Sequence, residues 1–105
     1  MKKYRNALNN IRKEIVKELI DIMKKYNCDE VDTYELDSTP TVIDGATFDE
    51  GYTLDSIILM DGTKPYLVFC CSSTYDDDRI DSNNVSIDNL ADILEWVKEN
   101  ENDMF

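Results

Sequence analysis

Along residues 2–26 apolar side chains return at Tyr4, Leu8, Ile11, Ile15, Leu19, Ile22 and Tyr26. These gaps of three and four residues trace a single stripe and predict an amphipathic helix over 2–26. Val16, Ile20 and Met23 widen the stripe on one flank, while Lys13, Lys17, Asp21 and Lys24 occupy the opposite side. Lys24 and Lys25 fall in the last turn, where cations complement the helix dipole, and Asn27 is the expected stop.

The pattern then changes period. Residues 29–37 alternate imperfectly, with Tyr34 and Leu36 on one side and Val31 and Thr33 on the other, and predict a strand that Ser38-Thr39-Pro40 ends. A short strand over 41–44 follows, with Pro40 suggesting a sheet edge or a strand start. Residues 45–51 read as a loop between two glycines. The runs 52–60 and 65–72 carry the strongest strand pattern, and Asp61-Gly62-Thr63-Lys64 between them is a hairpin signal because glycine accepts positive φ. Residues 73–84 read as a polar loop whose Ile80 reaches the core. A second helix is predicted over 87–100, with Ser86 as N-cap and Val85 and Leu90 at the positions of a hydrophobic staple. Residues 101–105 are expected to fray.

The order α-β-β-β-β-α defines an α+β fold: a long N-terminal helix, an antiparallel meander of three to four strands and a C-terminal helix, in one domain spanning 1–105. The hairpin is apolar on both sides. One face takes Ile57, Leu59, Leu67, Phe69 and Cys71, and the other takes Leu54, Ile58, Met60, Tyr66 and Val68. Antiparallel sheets usually show one apolar face. Two apolar faces require two covers: either the helices lie on opposite faces, or both lie on one and a partner covers the other.

Charge sharpens that choice. The chain carries 23 acids and 11 bases, a formal net of −12. Residues 1–25 hold eight of the bases and three of the acids, a net of +5; the remainder is −17. Such acidity disfavours direct nucleic-acid binding and anionic membranes, and suits a protein partner with a basic surface. No apolar run approaches the ~20 residues of a membrane span. No apolar segment follows the basic N-terminus as a signal peptide requires, so a cytoplasmic location is expected. Three cysteines, Cys28, Cys70 and Cys71, are expected as free thiols. Residue usage rich in Lys, Asn, Asp, Ile and Tyr fits an AT-rich bacterial or phage genome.

Candidate chemistry is sparse. Histidine is absent, which removes Ser-His and Cys-His nucleophile pairs and the commonest general base. No C-x-x-C or phosphate-cradling glycine motif occurs, and no cofactor or metal is expected. The run Asp76-Asp77-Asp78 with Asp81 fails the EF-hand pattern, because Ile80 and Asp81 fall where a ligand and glycine belong.

The expected role is therefore a non-catalytic interaction domain: a small acidic binder, inhibitor or regulatory subunit, with mimicry of a polyanion as a special case. The candidate contact residues are Tyr34, Asp44, Asp49, Glu50, Tyr52, Asp55, Tyr75, Asp76, Asp77, Asp78 and Asp81. Two alternatives stand beside it. One is a small metal-dependent hydrolase or nuclease using aspartates; the other is a structural or assembly homodimer.

Overall fold

The computed structural model describes residues 2–33, 36, 39–43, 51–60, 64–71 and 77–105. The elements are α1 (Lys2–Lys25), β1 (Glu30–Asp32), β2 (Thr41–Ile43), β3 (Gly51–Leu59), β4 (Pro65–Cys71), β5 (Asp77–Asp81), a 3-10 turn (Ser82–Asn84) and α2 (Ile87–Met104). The fold is α+β, with a helix at each end of an antiparallel sheet.

The end of α1 follows from its local chemistry. Asn27 adopts a left-handed φ of 54°, which Asn tolerates through its short polar side chain. The Cys28 amide then donates to the Met23 carbonyl at 2.9 Å and the Asn27 amide to the Lys24 carbonyl at 3.0 Å. This is the Schellman arrangement, which satisfies carbonyls that a helix end otherwise leaves open.

The sheet is four strand positions wide, although five strands build it. Strands β1 and β2 are both short and share one edge of the long strand β3. Val31 stands opposite Ile57, and Val42 opposite Tyr52. Pro40 lies just before β2 on this edge, where its missing N–H costs nothing, and its carbonyl takes the Leu54 amide at 3.0 Å. Strands β3, β4 and β5 form the meander. Strand β5 lies inside the segment expected to be a polar loop. Ile80 stands opposite Leu67 and packs against the core, so one half-buried side chain ties an acidic strand to the sheet edge.

A bulge in β3 changes which side chains face the core. The β3–β4 register shifts between Leu54 and Ser56, and Asp55 is the extra residue. Thr33 pins the bulge from the neighbouring strand. Its amide donates to the Asp55 carbonyl at 2.6 Å and its hydroxyl to the Leu54 carbonyl at 2.5 Å. Strict alternation places Leu54 with Ile58. The bulge instead turns Leu54 inward, fully buried beside Ile57 and Phe69, because one inserted residue reverses the pleat upstream of it.

Both helices cover the same face. One core cluster joins Val16, Leu19 and Met23 of α1, Leu90, Ile93 and Val97 of α2, and the inward row Val31, Leu54, Ile57, Leu67 and Phe69. The helices run side by side in the same direction. Arg12 of α1 donates to the Ser82 and Val85 carbonyls just before α2, Glu18 meets Lys98 at 3.2 Å, and Lys25 meets Glu101 at 2.8 Å.

Helix α2 starts as its sequence predicts. The Ser86 hydroxyl accepts from the Asn89 amide at 3.2 Å, and Val85 and Leu90 are both buried in the core. Its end does not fray at residue 100. The helix continues to Met104, and Phe105 stacks on Tyr26 with ring centroids 4.5 Å apart. Glu101 holds this end by accepting from the Tyr26 hydroxyl at 2.7 Å as well as from Lys25. The polar run Glu-Asn-Glu-Asn-Asp hides these contacts because they lie across the fold rather than along the chain.

Candidate interaction surface

With both helices on one face, no described element covers the other face of the sheet. Its register rows can be read across the strands. Glu30, Ile58, Tyr66 and Asp81 form one row, and Asp32, Ser56, Val68 and Arg79 form the next. Each row is apolar or neutral at its centre and charged at its ends. Met60, just past β3, is 42% exposed, and Arg79 approaches its sulfur at 3.9 Å. Ile58 and Tyr66 are half-buried and Val68 is buried, all three outside the helix-covered core cluster.

The two rows enclose a shallow hollow of about 400 Å³. Ser56, Ile58 and Val68 form its floor, and Glu30, Asp32, Asp55 and Arg79 its rim. Three carboxylates against one guanidinium make the rim net −2. The bulge contributes directly, since it brings the extra residue, Asp55, to the rim beside Glu30 and Asp32.

The exposed flank of α1 carries the opposite charge. A groove of about 680 Å³ runs along α1, with Val16 and Ile20 among its lining and Arg12, Lys13, Lys17, Lys24 and Lys64 around it, against one acid, Asp21. Arg12 is committed to the two carbonyls before α2, so it locks the helices while adding charge. The uneven charge along the sequence is thus an uneven charge in space: bases along α1, acids along α2 and around the open sheet face.

The chain matches no protein-family model, no curated protein and no solved structure.

Five of the eleven candidate contact residues lie among the described ones. Asp55 lines the hollow. Tyr52 packs against the core. Asp77 and Asp78 belong to β5, opposite Cys70 and Phe69. Asp81 caps the 3-10 turn by accepting from the Asn83 amide at 2.9 Å. Tyr34, Asp44, Asp49, Glu50, Tyr75 and Asp76 lie outside the described residues. Glu30, Asp32 and Arg79 are the charged residues that sequence reasoning did not single out. Their signal was the β alternation itself, which sets Glu30 and Asp32 on the side of β1 opposite Val31.

Among the described residues, no group of three Cys, Asp or Glu side chains is placed to hold a metal ion. Cys28 and Cys70 are not disulfide-bonded, and no described helix is long and apolar enough to cross a membrane.

Proposed function

We propose that this chain is a non-catalytic protein–protein interaction domain, a small cytoplasmic binder or regulatory subunit of bacterial or phage type. The observation that supports this is the sheet face left open when both helices pack on the other side. An apolar centre with a charged rim is the usual build of a recognition surface: the centre supplies desolvation and the rim supplies steering and register. The net negative rim selects a partner with a basic, amphipathic surface. The apolar centre favours ordinary protein recognition over polyanion mimicry, which calls for carboxylates where Ile58 and Val68 stand.

The test is a calorimetric titration with a helical Leu/Lys amphipathic peptide. Three proteins are compared: the wild type, the face variant Glu30→Lys/Asp32→Lys/Met60→Lys, and a control, Asp92→Lys/Glu95→Lys/Glu99→Lys, reversed on the exposed side of α2. The face variant is expected to bind about tenfold or more weakly, while the control keeps most of the affinity. Equal losses in the two variants mean that net charge alone drives binding, and the proposed face falls.

A further inference from the structure

Four large apolar side chains are exposed among the described residues: Tyr4 at 70%, Leu8 at 52%, Ile11 at 45% and Met60 at 42%. Met60 belongs to the open sheet face. The other three follow one another along the first turns of α1, spaced four and three residues apart. They continue the stripe that Ile15 and Ile22 pack against the core, but α2 begins level with Arg12 and gives them nothing to pack on. Among the described residues, the first ten of α1 therefore overhang the domain as an exposed amphipathic helix, about 15 Å long at 1.5 Å per residue.

We infer that the occupant of the open sheet face is the α1 overhang of a second copy of this chain, in a reciprocal two-fold pair. The inference rests on the proposed binding role of that face and names its partner.

Charge selects this pairing over the others. The overhang, residues 2–11, contains three bases, Lys2, Lys3 and Arg5, and no acid. Two overhangs laid together bring like charges into contact, and two open faces do the same with their carboxylates. An overhang on an open face matches apolar to apolar and bases to the Glu30–Asp32–Asp55 rim. The match cannot form within one copy. Helix α1 is continuous from Lys2 to Lys25, and its overhang projects from the layer on the far side of the sheet.

Area argues for reciprocity. A helix of this length and ~10 Å width has a footprint of roughly 150 Å². That is small against the ~800 Å² per partner of a standard interface. A two-fold pair uses the contact twice, since each copy donates one overhang and one face. The result is a weak dimer, in the micromolar range, that loosens with salt.

Sedimentation velocity on complementary variants tests this. One variant, Leu8→Asp/Ile11→Asp, spoils the overhang and keeps the face. The other, Glu30→Lys/Asp32→Lys/Met60→Lys, spoils the face and keeps the overhang. The wild type is expected to dimerise with rising concentration at low salt, each variant to stay monomeric alone, and an equimolar mixture to associate more weakly than the wild type, at higher concentration, through the one intact contact. A face variant that still dimerises shows overhang-to-overhang pairing and overturns the inference. An overhang variant that still dimerises shows face-to-face pairing and does the same. A mixture that associates no more than either variant alone, even at the highest concentration, also overturns it, as does a wild type monomeric at every concentration. If such a monomer still binds the basic peptide through its open face, the second copy falls as the occupant and the binding role stands.

Discussion

Thr33 shows how much a single side chain decides here. It is fully buried, and its hydroxyl and amide hold the two carbonyls that the bulge exposes. Thr33→Val keeps the shape and removes the hydroxyl, leaving the Leu54 carbonyl one partner short. The expected cost is about 1 to 3 kcal/mol, read as a lower urea midpoint with an unchanged slope. Glu101 is the other residue with long reach. Hydrogen bonds from Lys25 and then Tyr26 hold its carboxyl below the usual range, and the same contacts raise both partners. A depressed carboxyl contributes stability above its unfolded value and loses it as the pH falls through the folded one. The melting temperature of the wild type should therefore exceed that of Glu101→Gln at neutral pH, with the gap closing in acid. At high pH the raised Lys25 and Tyr26 groups work in the opposite sense. Their contribution is complete below their ordinary values and fades as the pH climbs through the raised ones.

At the scale of elements, the caps and the edge strands divide what was legible from what was not. The start of α2 was readable because Ser86, Val85 and Leu90 signal it within five residues. Ser86→Ala should cost about 1 kcal/mol, visible by thermal denaturation. The stop of α1 at Asn27 was readable for the same reason. The last turn of α2 and the whole of β5 were not. Each depends on one contact made across the fold: Phe105 on Tyr26, and Ile80 beside Leu67. Truncation of Met104 and Phe105 is expected to lower the melting temperature by loosening the Tyr26–Glu101 clamp. A frayed tail, as the polar sequence suggests, predicts no change. The acids of β5 also suit an edge strand, where charge discourages pairing with another sheet.

For the whole molecule, the decisive fact is that both helices share one face. A doubly apolar hairpin is compatible with helices on either side, and periodicity does not choose between the two arrangements. Packing chooses, because α1 and α2 bury one another as well as the sheet. The arrangement also segregates charge: a basic α1, and acids on α2 and the rim of the open face. The face variant Glu30→Lys/Asp32→Lys/Met60→Lys takes the formal charge from −12 to −7 by two reversals and one added lysine. Two of those residues are exposed carboxylates and the third is an exposed methionine. Its unfolding free energy is accordingly expected to stay within about 0.5 kcal/mol of the wild type, while binding at the face is lost. A large fall in stability would show that the rim serves the fold instead.

The amino-acid pattern by itself determined the two helices, the central hairpin, the caps and the acidic balance, because each is written in spacing over a few residues. The tertiary structure decided three further features: the inward turn of Leu54, the pairing of β5, and the face that stays uncovered. An inserted bulge residue leaves no mark on composition. A strand with one half-buried side chain resembles a loop. The side of a sheet on which a helix settles depends on what else that helix can bury.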